Sequence, residues 1–358
     1  MQNKVKTINF QGQNIYIGID VHLKNWRITV MLDHLFYKTF SQDPDAGTLY
    51  EYLSRNFPYG NYLSAYEAGF CGFSIHRKLE KYGIKNVVIN PADIPTTDKE
   101  RKQKEDKRDS RKIAKSLRNN ELTPIYIPEL KMEELRTLVR YRKTLVKDIG
   151  RNKNRVKSLL HYYGIKIPPE LDSASKHWSA RFTTWLKAIE TSAEYAKSAL
   201  SYYIEITAHM RQTLLKTERQ LREISKSGIF SKRIIWLISI PGVGLITAYV
   251  LLTELGDITR FKNLDKLCSF VGLVPTTNSS SDKERIGNIT PRSNNIIRNC
   301  LIESAWTAIR HDPALALSYN NLCKRMNSNE AIIRIAKKLL NRIRYVLMNE
   351  KEYVKAII

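Results

Sequence analysis

No apolar run in this chain approaches the ~20 residues that a membrane-spanning helix needs. The opening segment, MQNKVKTINF, lacks the apolar stretch of a secretory leader, which predicts a cytoplasmic protein. Cysteine is scarce. Cys71, Cys268, Cys300 and Cys323 form no C-x-x-C pair and show no zinc-ligand spacing, so a disulfide scaffold or zinc module is excluded and reduced, mostly buried thiols are expected. The seven histidines lie away from the serine-rich stretch at 279–281, the nearest being His311, so no Ser/His/Asp constellation is legible. Negative charge is also in short supply: 35 Asp and Glu face 59 Lys and Arg, a net charge of +24. Such a field attracts phosphate backbones and speeds encounter with them. A membrane-surface protein and a merely basic soluble protein are the alternatives, and nucleic acid is the reading preferred over both. The 358 residues are enough for two or three domains with cores of their own.

Against that basic background four acidic residues stand out. Asp20 closes the apolar run IYIGIDV, and Glu67 closes NYLSAYEAG. Asp106 and Asp109 sit in KQKEDKRDSRKIAKSL, among ten Lys or Arg between residues 99 and 118 that include Lys104, Lys107, Arg108 and Arg111. The patterning predicts strands over 15–21, 26–32, 35–40, 61–67 and 86–90, with helices over 45–56, 73–83 and 106–119. Three strands followed by alternating helix and strand is the RNase H-like order. On a helix Asp106 and Asp109, at i and i+3, share one face. Singly, each carboxylate has a plainer role as a strand-end, cap or solvated surface group. Together they match the requirement of Mg²⁺ for carboxylate oxygens, and two such ions about 4 Å apart can activate an attacking oxygen and stabilise a leaving one.

From Leu135 the pattern changes to steps of three and four, through Leu138, Arg142, Leu145, Ile149, Asn152, Val156, Leu159 and Tyr163. A second seam runs from Phe182 and Trp185 through Ile189, Ala193, Ala196, Leu200 and Tyr203 to Met210, Leu214, Leu221 and Ile224. Two long helices around a short linker are expected, either paired internally or serving as an intermolecular coiled coil, and the many Lys and Arg of the exposed faces also suit an arm lying along RNA or DNA. Beyond residue 230, RIIWLISIPGVGLITAYVLLTELGD places Pro241-Gly242-Val243-Gly244 between two apolar helices. That is the pattern of a helix-hairpin-helix, in which Gly242 and Gly244 let backbone N–H groups approach a phosphate, and equally of a tight turn between core helices. Ser279, Ser280 and Ser281 read first as a polar loop.

Several ordered blocks carry a family resemblance. GIDVHLKNWRITV, YEAGFCGFSIHRKL, KEDKRDSRKIAKSL, LISIPGVG, LTELGDITRF and VGLVPTTNSSSDKERIGNIT closely resemble the successive motifs of DEDD-type transposases of insertion-sequence group one-ten and its eleven-eleven subgroup. The resemblance covers nearly the whole chain. It implies a RuvC-like DEDD domain over residues 1–125, a helical coiled-coil arm over 126–230, and a mostly helical C-terminal transposase domain over 231–358. It further implies that Asp20, Glu67, Asp106 and Asp109 hold Mg²⁺, and that a serine recombinase cleaves and exchanges DNA strands through a phosphoserine intermediate, guided by a structured noncoding bridge RNA. Counting from Pro275, the family's nucleophile falls on Ser280, with Ser279 as the register alternative. Ser281 stands where the family has glycine, and Ile289-Thr290-Pro291-Arg292-Ser293-Asn294 lacks the family's lysine and glycine. Arg285, Arg292 and Arg298 are the candidate replacements for backbone or oxyanion contacts. The same resemblance implies DNA donor and target partners and a homo-oligomer, dimer or tetramer; the 171 residues and the helical arm between the quartet and Ser280 lead to the expectation of a composite site completed between subunits. A RuvC-like junction nuclease that uses water, or a non-catalytic nucleic-acid scaffold, are the alternatives.

Overall fold

Alternation of apolar residues sets the N-terminal sheet. In β1 (Asn14–Val21), Ile15, Ile17 and Ile19 are fully buried on one face, as the two-residue period of a strand requires. The computed structural model describes residues 9–94, 106–173, 175–190, 193–226, 228–280, 283–291 and 293–354. The chain divides into two units, Met1–Ile127 and Pro128–Ile358.

In the first unit β1 pairs antiparallel with β2 (Trp26–Met31), which pairs antiparallel with β3 (Phe36–Gln42). On its other edge β1 pairs parallel with β4 (Asn61–Glu67), and β4 pairs parallel with β5 (Lys85–Ile89). The order is β3-β2-β1-β4-β5. Parallel neighbours need crossover connections. These are α1 (Ala46–Asn56), capped by Asp45 accepting from the Thr48 N–H at 2.9 Å, and α2 (Ser74–Lys81). Leu49, Leu53, Ile75 and Leu79 from these helices share a core with the three β1 isoleucines. The opposite face receives α3 (Asp106–Arg118), whose Ile113 packs with Ala65, Ile89 and Ile94. A five-stranded mixed sheet of this order, with helices on both faces, is consistent with an RNase H-like domain.

The second unit begins with α4 (Leu130–Tyr162), followed by α5 (Ala180–Ala188) and α6 (Glu194–Lys226). The expected second long helix is thus interrupted, and α5 forms a separate short helix capped by Ser179. Helices α4 and α6 run antiparallel: Arg142 pairs with Glu218 at 2.7 Å, while Asn152, further along α4, donates to Tyr203 O at 2.8 Å and Thr207 Oγ1 at 2.6 Å. Both polar members of the first seam therefore have partners on α6. The buried positions drift by one from a strict heptad: Val139 and Leu160 are buried where Leu138 and Leu159 are expected, and on α6 Ile204 and Thr207 replace Tyr203. A straight helix repeats every 3.6 residues, so its buried stripe slides around a 3.5-residue pattern. Val156, Leu160, Phe182, Leu186, Leu200 and Ile204 make a small core of their own, whereas Met132, Leu135, Val139 and Leu221 belong to the C-terminal core.

That larger core is built from α7 (Ser231–Ile238), α8 (Leu245–Leu255), α9 (Leu264–Val271), α10 (Asn295–His311), α11 (Pro313–Cys323) and α12 (Ser328–Asn349). The serine segment departs from the polar loop expected of it. Residues Pro275–Ser280 form β6, antiparallel to β7 (Lys283–Ile289). A polar, threonine-bearing stretch becomes a strand here because the adjoining KERIGNI offers it a partner. The thiols are free, but only Cys268 is buried; Cys71 and Cys300 are half-buried and Cys323 is exposed. Cys323 ends α11, where the apolar core no longer covers the helix. Among the described residues, no helix is long and apolar enough to cross a membrane.

Candidate active site

Strand register brings Asp20 and Glu67 side by side. Gly18 pairs with Ala65 and Ile19 with Tyr66 along the parallel β1–β4 ladder, so Asp20 and Glu67 occupy the next position on neighbouring strands. Strand spacing puts their backbones about 4.8 Å apart. Both belong to the face that carries α3, since Asp20 shares it with Gly18 and Glu67 with Ala65.

Gly18 explains how α3 comes close enough to matter. A Cβ there would collide with the Ser110 carbonyl oxygen and the Ala114 nitrogen, so the α3 backbone lies directly on β1. Ser110 Oγ, fully buried, is 2.9 Å from Thr29 Oγ1, which in turn meets Thr39 Oγ1 at 2.8 Å. This hydroxyl chain ties α3 to β2 and β3. Asp109 precedes Ser110 and is half-buried beside that contact. Asp106 opens α3, one turn before Ser110. Its side chain and those of Lys107 and Arg108 lie outside the described part of the structure, as does Lys104 altogether. Arg111 turns to the ring of Phe36, 4.3 Å from its centroid.

Two neighbours of Asp20 were not singled out by sequence. His22 Nε2 stands 3.0 Å from Asp20 Oδ2. Arg27 is the cross-strand partner of Asp20 and shares its face; its Nη1 donates to Ser41 Oγ at 2.8 Å, and its buried Nε has no partner among the described residues. A two-residue offset along a strand is the signal for His22. Arg27 becomes visible only once register is known. Among the described residues no group of three or more His, Cys, Asp or Glu side chains is arranged to hold a metal ion. The donor set is nevertheless all carboxylate, the chemistry that suits Mg²⁺.

The serine hairpin is held at its roots. Helix α9 ends at Gly272, in the left-handed region at φ +82°, where any Cβ would collide with Ser293. Thr290 N–H donates to Val274 O at 3.1 Å, and Asn294 N–H to Phe270 O at 3.0 Å. Arg298 Nη1 donates to Thr290 O at 2.8 Å and its Nη2 to Asn295 Oδ1 at 2.5 Å, so this guanidinium is engaged in fixing the hairpin. Ser280 is the last paired residue of β6, opposite Lys283, and Ser279 pairs with Glu284. Ser281 and Arg292, and the side chains of Ser279, Ser280 and Arg285, lie outside the described part of the structure.

Asn294 also joins a buried charge. Its Nδ2 donates to Glu254 Oε2 at 3.0 Å, while its Oδ1 caps α10 by accepting from the N–H groups of Ile296 and Ile297. Arg140 of α4 grips the same carboxylate with Nε at 2.7 Å and Nη2 at 2.9 Å, and Arg136 Nε donates to the Thr253 carbonyl at 2.8 Å. Burial pushes the Glu254 carboxyl up, but the hydrogen bonds from Arg140 and Asn294 and the charges of Arg140 and Arg136 outweigh it and hold the group below its ordinary value. The sequence offered a clue in retrospect: one acid inside YVLLTEL must find a partner when the run is buried.

Of the two glycines between α7 and α8, Gly242 (φ +87°) rests on α10, where a Cβ would collide with Ser304 O and Ala308. Gly244 is exposed at the N-cap of α8, with open space beside it.

Comparison with known proteins gives this geometry a context. A profile of DEDD-type IS110 transposases matches residues 17–165, and the profile described as the transposase IS116/IS110/IS902 family matches residues 236–320. The chain is 28% identical over 250 residues to the y4qE protein of Sinorhizobium fredii, covering 70% of this chain and 59% of that one. Over 304 residues it is 23% identical to the transposase for insertion sequence element IS1533 of Leptospira borgpetersenii, covering 82% and 85% of the two chains. Over 300 residues it is 26% identical to the transposase for insertion sequence element IS1111A of Coxiella burnetii, covering 79% and 77%. With both profiles matched in order, and carboxylates and serine hairpin falling inside them, the chain is an insertion-sequence transposase of the IS110 family.

Proposed function

We propose that this transposase cleaves and rejoins DNA strands through a phosphoserine link at Ser280, with Mg²⁺ held by Asp20, Glu67, Asp106 and Asp109, and with a structured RNA choosing the sequences joined. The observation that carries the metal half is the register of β1 and β4, which sets Asp20 beside Glu67 on the face where α3 delivers Asp109. A carboxylate set of this kind would hold divalent ions, which would stabilise the displaced oxygen.

In the proposed step Ser280 Oγ bonds to phosphorus while one P–O bond to deoxyribose breaks, and the serine proton passes by way of a base to the leaving hydroxyl. A hydroxyl of a second strand then attacks the phosphoserine, restoring both the phosphodiester and the serine. An ordinary serine needs a base or a charged setting for this. The root of the hairpin, tied by Arg298, Asn294 and Gly272, supports a fixed attachment for β6, the strand that ends at Ser280. Delegating sequence choice to RNA pairing would leave the protein to grip backbones, which a net charge of +24 serves. The chain would act as a homo-oligomer.

The test is to trap protein–DNA adducts on element-end DNA with Mg²⁺ and co-purified RNA. Adducts in the wild type and in Ser279→Ala, but none in Ser280→Ala, are expected. Normal cleavage by Ser280→Ala without any adduct would support hydrolysis by water instead.

A further inference from the structure

We infer that the helical arm carries a phosphate-binding seat, formed by Lys153 and Lys157 of α4, Arg211 of α6 and the Trp178 loop, which grips the backbone of a nucleic acid. This goes beyond the reading above, because it rests on neither Ser280 nor the carboxylates.

Lys153 and Lys157 are one turn apart on α4 and both half-buried. Lys153 Nζ lies over the Trp178 indole, 5.3 Å from the ring centroid, and Arg211 Nη1 donates to the Trp178 carbonyl at 3.2 Å. Trp178 itself holds a left-handed backbone, φ +68°, which bulky residues rarely adopt, and its ring packs on buried Phe182 at 5.5 Å. The loop thus fixes an aromatic platform with cations converging on it from two helices. Among the described residues no carboxylate pairs with any of the three; Asp172, one of two acids in the same loop, stands 3.3 Å from His177 Nε2.

Gathering like charges in a partly desolvated place is unfavourable unless something offsets it. The crowding is felt: burial first, then the charges of Arg211 and Lys157, push the Lys153 ammonium below its ordinary value. A phosphate would relieve that repulsion with charge-assisted hydrogen bonds. A polyanion fits better than a free ion, because exposed Lys143 and Lys147 extend the positive charge along α4. Scattered surface lysines of a basic protein lack the half-burial, the aromatic floor and the cross-helix convergence seen here.

The test compares the full-length triple variant Lys153→Gln/Lys157→Gln/Arg211→Gln with a charge-matched control, Lys38→Gln/Arg55→Gln/Lys81→Gln, drawn from exposed cations of the sheet unit. Affinity for a short duplex DNA and for a hairpin RNA of unrelated sequence is measured across a salt series. The seat predicts that the arm variant loses about tenfold or more relative to the control, with a salt dependence shallower by about two to three ions. Loss confined to RNA assigns the seat to the guide, and loss confined to duplex assigns it to DNA. Inorganic phosphate should raise the melting temperature of the wild type more than that of the arm variant, and Lys153→Arg/Lys157→Arg should retain binding, which separates loss of charge from loss of fold. Equal losses in arm variant and control would overturn the proposal.

Discussion

Gly18 carries no functional group, yet the site depends on what it lacks. Because β1 offers no side chain at that point, α3 can lie on the strand and bring Asp109 to the face that bears Asp20 and Glu67. Gly18→Ala is therefore expected to destabilise the chain by about 2 kcal/mol or more, since the colliding atoms belong to the backbone and cannot rotate away. Denaturant titration would read that loss, and DNA cleavage should fall with it even where the variant remains folded. Glu254 is a second case in which one residue organises others, here Arg140 and Asn294. Glu254→Gln is expected to cost about 1–3 kcal/mol, less than a fully buried pair, because half of Arg140 faces water. The pH dependence has a definite sign. The folded carboxyl is held below its ordinary value of 4.5, so the unfolded chain binds more protons in acid. The contribution to stability is complete at neutral pH and is lost as the pH falls from 4.5 through the lower folded value. Melting temperatures measured across that range should fall more steeply for the wild type than for Glu254→Gln. Asp312, also held low against the upward push of its burial by Arg342 and the Leu315 N–H, leaves the variant some acid sensitivity.

At the scale of elements, what could be read in advance followed from short periods. The two-residue alternation in IYIGIDV and the apolar run ending at Glu67 mark β1 and β4 because burial on a sheet face repeats every second residue. D-x-x-D on α3 was legible for the same kind of reason. Longer-range facts were not. The hairpin of Ser280 is a strand only by virtue of its partner, and α5 ends at Ala188 although the apolar spacing of its seam continues into α6. The drift of the arm seam accumulates over many turns and escapes a heptad template. The polar seam residue Asn152 has a sharper role than composition could assign, since it is buried and donates to both Tyr203 O and Thr207 Oγ1 on the opposing helix. Asn152→Ala should cost about 1–3 kcal/mol by stranding those acceptors and leaving a void. Unfolding monitored by circular dichroism would show it, and an unchanged midpoint would mean that the α4–α6 register is fixed elsewhere.

For the whole molecule, 59 basic residues against 35 acidic ones give a net positive charge, and strand register sets Asp20 beside Glu67. The field accounts for attraction to phosphate backbones, and register accounts for where the chemistry would occur. The central claim is that carboxylates from β1, β4 and α3 act as one metal site. Divalent-ion binding to the full-length chain tests it most directly, with Mn²⁺ as a paramagnetic probe competed by Mg²⁺. Wild-type protein is expected to bind, and Asp20→Asn, Glu67→Gln and Asp109→Asn should each weaken binding by at least about tenfold while the fold persists. Three variants that bind the ion as tightly as the wild type would contradict the account.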